Sequence, residues 1–343
     1  MIVKNLEIIN FRCFGRARFA FDPGLNLVTG PNGSGKTSLL EAVAYISTPR
    51  SFSGTLDRDL TAWNEAGFFL KGEIERNGAS HEITVSLKGE KKIIRIDGKN
   101  IVSYADLFST FVVLAVGPGS DALIGGPPEE GRRFLDWALS LMEKEYYQHL
   151  LSYRKSLAQK NALLKRHGTH LAPWNREMER HGSFIVGRRE WFVSTLNDRL
   201  PPISRKKVSI RYSPSSRMEV GSLDRVSASE QERGFALVGP HRDMLEVLLD
   251  GRRARGFASQ GERRIAHLAI VLSAREIFQE RLGEPPVLVM DEPASVLDDE
   301  HLSALLSSLS GQVIYTDVLS RETSGSVSLT PTPDRRVIEL GKA

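Results

Sequence analysis

Eight consecutive residues, Gly30, Pro31, Asn32, Gly33, Ser34, Gly35, Lys36 and Thr37, complete a G-x-x-x-x-G-K-T phosphate loop. In such a loop, glycines let successive backbone N–H groups turn inward around phosphate oxygens, and the following helix adds the partial positive charge of its N-terminus. The pattern predicts nucleotide binding: Lys36 reaches the β- and γ-phosphates, Thr37 holds Mg²⁺, and Ser38 continues the cradle into the helix. Far downstream, Val287-Leu288-Val289-Met290-Asp291-Glu292 is an apolar run ending in two carboxylates. In a phosphate-loop protein this reads as a Walker B strand, with Asp291 beside Mg²⁺ and Glu292 as general base for the attacking water.

The flanking residues predict the elements that position these groups. Leu25-Asn26-Leu27-Val28 reads as a short buried strand and Ser38 to Val43 as the first turns of a helix, the strand, loop and helix order that the motif requires. Upstream of the carboxylates, Ala258-Ser259-Gln260-Gly261-Glu262-Arg263 is a small polar loop entering an apolar helix from Ile265 to Ile277. Short strands dominate residues 1–123, with an Asp97-Gly98 hairpin turn between Ile93–Ile96 and Ile101-Val102. Leu135, Leu139, Met142, Tyr146, Leu150, Tyr153, Leu157 and Leu164 keep helical spacing, one long helix with at most one break. After Pro173 a second helical pattern runs from Trp174 to Leu196, and the two predict an antiparallel helical hairpin over 124–205. Residues 206–343 then return to strands and complete the nucleotide-binding lobe, with Ser213 to Gln231 expected to be a mobile polar segment.

Bulk properties narrow the class. A chain of 343 residues with 41% hydrophobic content buries a substantial core, and no stretch approaches the roughly 20 uninterrupted apolar residues of a membrane span. The first residues lack a signal-peptide layout, so a cytoplasmic location is expected. A single cysteine, Cys13, excludes an intramolecular disulfide. The net charge of +4 is compatible with a polyanionic partner without demanding one. His149, His167, His170 and His181 are spaced for helix faces and turns, and no zinc site is assigned.

The Ser259-Gln260-Gly261-Glu262 loop resembles the signature motif of ABC-type ATPases, and Ser295-Val296-Leu297-Asp298-Asp299 resembles their D-loop. That resemblance implies an ABC-type ATPase head: an α/β phosphate-loop fold with a mixed sheet, an antiparallel flank and an inserted helical lobe. It further implies that Ser259, Gln260 and Gly261 contact the ATP held by a second subunit, Ser259 catalytically, so that ATP joins two copies across a two-fold axis. No glutamine lies between Phe111 and Leu123 to serve as a Q-loop, and no histidine follows Val313-Ile314-Tyr315, leaving Thr316 as the candidate for sensing the γ-phosphate.

Within that superfamily the chain resembles the RecF family of bacterial recombination mediators over nearly its whole length. The segments that carry this are Leu6 to Arg12, shared in style with SMC heads, Pro49-Arg50-Ser51-Phe52, Arg132 to Asp136, Tyr153 to Lys165, and Val238-Gly239-Pro240-His241-Arg242-Asp243. Many members end Walker B in two aspartates, whereas this chain has Asp291-Glu292. The resemblance implies that Arg12 helps bind nucleotide, that ATP and Mg²⁺ are the cofactors, and that hydrolysis is slow and DNA-stimulated. It also implies a dimer that clamps gapped or junction DNA without reading sequence, and that works with RecO and RecR to load RecA in recombinational repair, replication restart and the SOS response. An ABC-type ATPase coupled to a transporter or nuclease partner is the alternative.

Arg154, Lys155, Lys160, Lys165, Arg166, Arg188, Arg189 and Arg205-Lys206-Lys207 are candidates for phosphate contact, weighed against a solvated helix face. Tyr153, Trp174 and Trp191 fit core packing better than a base-stacking platform. His241 suits either a place near the nucleotide or dimer seam or a satisfied structural histidine.

Overall fold

Buried and less buried residues alternate along the strands at residues 67–76 and 83–87, as in an antiparallel sheet with one dry face. The computed structural model describes residues 1–101, 103–117, 122–202, 206–317 and 335–341. Its contacts divide the chain into two compact units, Met1–Asp121 with Gln260–Ala343, and Ala122–Ser259.

The first unit opens with β1 (Ile2–Phe11), β2 (Phe14–Ala20), β3 (Leu25–Thr29) and α1 (Lys36–Ser47). It continues through β4 (Gly67–Arg76), β5 (Ala79–Lys88), β6 (Lys91–Ile96), β7 (Lys99–Asn100), α2 (Tyr104–Phe108) and β8 (Val113–Val116). Six of these strands form an antiparallel sheet in the order β2-β1-β4-β5-β6-β7. Val3, Leu6, Ile8 and Phe11 on β1, Phe68, Leu70 and Ile74 on β4, and Ile83, Val85 and Leu87 on β5 fill its buried face. A Cβ at Gly72 would lie 2.5 Å from Cδ1 of Ile46, so the glycine lets α1 rest directly on that face. The Asp97-Gly98 turn has both residues at positive φ, as a two-residue hairpin of right-handed twist needs; Val102, assigned to the strand beyond it, lies outside the described residues.

The second unit holds α3 (Ala122–Gly125), α4 (Pro128–Met142), α5 (Lys144–Leu164), α6 (Ala172–Asp198), β9 (Val208–Ser213), α7 (Ser227–Arg233), β10 (Met244–Leu249) and β11 (Arg252–Arg253). The long helical pattern breaks once, at Glu143, and α5 and α6 pack as the expected hairpin. The strands β11-β10-β9 form a small antiparallel sheet. This unit extends to Ser259 and does not stop at residue 205, because β9 and β10 pack on the helices. Asn197 of α6 exchanges two 2.8 Å bonds with the backbone of Ile210, and Gly131 of α4 lies flat against Leu245. The segment expected to be mobile is tied down as well: Glu179 accepts from the N–H groups of Gly221 and Leu223, and Met218 and Leu223 are buried.

The chain then returns to the first unit with α8 (Gln260–Leu282), β12 (Val287–Met290), α9 (Asp299–Ser308), β13 (Val313–Thr316) and β14 (Arg335–Glu339). A parallel sheet of order β14-β3-β13-β12-β8 draws its strands from both ends of the sequence. Every residue of β12 and β13 is buried, as expected of a sheet covered on both faces. Gln312, fully buried, joins the two sheets of this unit: its side chain accepts from Val3 N and donates to Val3 O and Asp22 O at 2.8–2.9 Å. Among the described residues no helix is long and apolar enough to cross a membrane.

Charge burial organises the second unit and corrects part of the sequence reading. Arg189 is enclosed and donates to Asp136, Asp243, Pro240 O and Tyr146 at 2.7–3.2 Å. Lys160 is also enclosed, 2.7 Å from the equally buried Glu230. Neither reaches a DNA backbone. Arg188 pairs with Glu143 and lies 4.2 Å over the Trp191 ring, and Arg154 pairs with Asp136. Lys155, Lys165, Arg166, Lys206 and Lys207 are exposed, and Arg205 lies outside the described residues. Tyr153 is core, as its spacing predicts.

Removing one member of a buried ion-pair network leaves uncompensated charge behind. Arg189→Ala is expected to destabilise the protein by about 3–5 kcal/mol, read as a lower denaturant midpoint in urea unfolding; an unchanged midpoint would show that the network holds nothing.

Candidate nucleotide-binding site

The phosphate loop leaves β3 at Thr29 and enters α1 at Lys36. Gly30 and Gly35 are required by shape. A Cβ on Gly30 would sit 2.7 Å from Leu340 O, and Gly35, at φ +95°, would place one 2.6 Å from the Cys13 sulfur and 2.8 Å from the Phe14 ring. The turn between β1 and β2 therefore lies against the loop. Lys36 Nζ donates to Gly30 O at 2.8 Å and Pro31 O at 3.2 Å, folding the side chain across its own loop. Asn32 and Gly33 are exposed at the tip, Ser38 is half-buried in the first turn of α1, and Ser34 is buried. The Ser34 and Thr29 hydroxyls are buried without a hydrogen-bond partner. Orphaned hydroxyls at a loop of inward-turning backbone fit a group that brings its own acceptors, as a phosphate does.

The second half of the site comes from the neighbouring strand ends. β3, β13 and β12 run parallel, so their C-terminal ends emerge on one edge, where such sheets place ligands. Thr37 Oγ1 donates to Asp291 Oδ2 at 2.7 Å, uniting two motifs that are 254 positions apart. Thr316 Oγ1 donates to Asp291 Oδ1 at 2.8 Å and accepts from Glu292 N at 2.7 Å. Glu292 adopts φ 49°, ψ 53°, a left-handed conformation that few non-glycine residues occupy. Gly117, at the end of β8, stands within 3.1 Å of Asp291 Cβ and the Phe52 ring, measured from the Cβ it lacks. Hydroxyl and carboxylate oxygens are the donors a hard cation such as Mg²⁺ prefers, and Thr37 with Asp291 fits it.

One expectation changes here. Thr316 is fully buried with both hydrogen-bonding roles used, so it does not present a free hydroxyl to a γ-phosphate. Arg12, at φ 55°, is held by Glu41 of α1 at 2.7 Å and by Thr55 at 2.9 Å, beside the loop but engaged with its helix. Glu41 itself is buried and binds Ser51 and Ser53, which explains the Pro49–Phe52 segment as a support of α1. Sequence reasoning passed over Glu41; its only signal was a carboxylate inside an otherwise apolar helix. Ser259, Gln260 and Gly261 lie exposed where α8 begins. Arg264, one turn further on, donates to Ser295 of the D-loop-like segment at 3.1 Å, and Asp298 caps α9 by accepting from His301 N.

His241 is a structural histidine of the second unit. Its Nδ1 shares a 2.6 Å hydrogen bond with the Tyr153 hydroxyl, and burial lowers its pKa to about 4.

The chain is 33% identical to the DNA replication and repair protein RecF of Moorella thermoacetica, an alignment covering 90% of this chain and 87% of the relative. The RecF proteins of Lachnoclostridium phytofermentans and Natranaerobius thermophilus are 32% and 29% identical over 92% and 100% of the chain. The family described as an AAA domain matches residues 5–163. Among solved structures, the chain is similar to the recombination mediator protein RecF with ATP in the RecFOR pathway, with TM-score 0.83 and 28% identity over 96% of this chain and 93% of that one. An SMC head bound to the C-terminal winged-helix domain of ScpA shares the fold, with TM-score 0.51 and 15% identity over 92% of this chain and 89% of that one. The fold is that of an ABC-type ATPase head. Within that class, the chain belongs to the RecF family of DNA replication and repair proteins.

The lowered pKa of His241 has a direct consequence for stability. Between the ordinary histidine value of about 6.5 and about 4, the unfolded chain binds the proton that the folded one refuses. Stability is therefore full above the unfolded value and declines as pH falls through this window. Replacing His241 by Gln should flatten that part of a denaturation-versus-pH curve; a slope identical to the parent's would remove His241 as its source.

Proposed function

We propose that this chain is an ATP-dependent, DNA-binding recombination mediator. In this reading ATP and Mg²⁺ join two copies into a clamp on gapped or junction DNA, without sequence preference, and slow, DNA-stimulated hydrolysis releases it. The observation that carries the reading is the 2.7 Å bond from Thr37 to Asp291 with Glu292 next in the chain, which gathers metal ligands and base at one strand edge. The RecF relatives, and solved structures described as RecF with ATP in the RecFOR pathway, support RecO and RecR as partners; RecA loading as the output and the cytoplasm as the setting belong to the same reading.

The chemistry follows from the residues. Lys36 would exchange its bonds to Gly30 O and Pro31 O for β- and γ-phosphate oxygens, and the loop N–H groups and Ser38 would take the rest. Thr37 and Asp291 would hold Mg²⁺, which supplies charge neutralisation across the phosphates. Glu292 would accept a proton from the water attacking the γ-phosphorus, as the bond to the β-bridging oxygen breaks and ADP and phosphate leave. Ser259, Gln260 and Gly261 of a second copy would close the γ-phosphate side. With Lys160 and Arg189 set aside, and Arg154 and Arg188 paired with carboxylates, the exposed cations Lys155, Lys165, Arg166, Lys206 and Lys207 are the phosphate-contact candidates among the described residues.

Glu292→Gln should keep ATP affinity, lose about a hundredfold or more in turnover, and accumulate as a dimer with ATP and Mg²⁺ in light scattering; a variant that stays monomeric refutes the sandwich. Ser259→Arg should bind nucleotide like the parent but not dimerise, and loss of nucleotide binding would place that loop in the site of its own chain instead.

A further inference from the structure

Thr316 ends β13, the strand lying between the phosphate-loop strand β3 and the carboxylate strand β12. Its side chain is completely buried. The single hydroxyl proton goes to Asp291 Oδ1, while the oxygen accepts the backbone N–H of Glu292. Only a group that donates and accepts at one atom makes both bonds, and among side chains of this size a hydroxyl does so strongly and a thiol only weakly.

Each bond settles a different feature of the site. With Thr37 on Oδ2 and Thr316 on Oδ1, both carboxylate oxygens of Asp291 are pinned, so the plane it presents to a cation is fixed. Groups that orient a ligand carboxylate in this way tune a metal site nearly as much as the ligands do. The second bond holds the backbone of Glu292 at φ 49°, a conformation that persists only where the surroundings over-determine it, and the backbone sets where the Glu292 side chain leaves the strand end.

We infer that Thr316 is a positioning residue, which uses one hydroxyl to orient the metal carboxylate Asp291 and the base Glu292 together. It acts through those two residues and touches no phosphate. The inference rests on the roles proposed for Asp291 and Glu292.

The test compares Thr316→Val, which keeps shape and loses both bonds, with Thr316→Ser, which keeps both. Thr316→Val should lower kcat about 10–100-fold, with KM for ATP changing less than about threefold. With a fluorescent ATP analogue, affinity without Mg²⁺ should match the parent, while the Mg²⁺ concentration needed for half-maximal enhancement rises about tenfold. Thr316→Ser should restore both readouts. Should Thr316→Val fail to fold, Thr316→Cys, with a weak S–H donor, should fall between the parent and complete loss of turnover. The inference is overturned if Thr316→Val or Thr316→Cys turns over like the parent, if Thr316→Ser is as damaged as Thr316→Val, or if ATP-over-ADP discrimination is lost at unchanged kcat, which would mark a phosphate sensor. Parent-like hydrolysis in Glu292→Gln would instead dismiss the base assignment, whatever the Thr316 variants do.

Discussion

A hydroxyl, a carboxylate and a second hydroxyl, Thr37, Asp291 and Thr316, form the hydrogen-bonded chain on which the site depends. It runs across the C-terminal edge of the parallel sheet and joins residues from three chain segments. Its demands explain much of the first unit. β12 and β13 are buried throughout because the sheet is covered on both faces, and polar chemistry is confined to their C-terminal ends, at Thr316 closing β13 and Asp291 just after β12. Gln312, at the other end of β13, ties that sheet to the antiparallel one through backbone groups of Val3 and Asp22. The loop glycines allow close approach on both sides, to Leu340 and to the β1–β2 turn.

The second unit is built around polar groups of another kind. Arg189 and Lys160 are held inside it by carboxylates from distant parts of the chain. Such pairs contribute little net stability compared with apolar packing, yet breaking one is costly, so they fix which partners meet. Asp243, from the Val238–Asp243 segment that resembles one in the RecF family, closes this network by receiving Arg189, Tyr212 and Ser215 N. His241 of the same segment is tied to Tyr153 of α5. The motif's signature residues thus serve the architecture of their own unit.

The sequence by itself determined the phosphate loop, the carboxylate pair, the helical hairpin and the resemblance to the RecF family, because each is encoded in local spacing: a glycine pattern, an apolar run, a 3.6-residue period. What only the tertiary structure decided was where each polar group spends its hydrogen bonds. Charged residues along α5 and α6 look alike in one dimension, yet Lys160 and Arg189 face acids from residues 136, 230 and 243 while Lys155 and Lys165 face water. Thr316 follows a strand as a phosphate sensor would, yet its hydroxyl is saturated by Asp291 and Glu292. The unit boundary belongs to the same group, since β9 and β10 join the helices through Asn197 and Leu245 rather than the strands that follow. Periodicity reports which face of an element is apolar; the partner of a polar side chain depends on which distant segment is brought opposite it, and that is set by the packing of the whole fold.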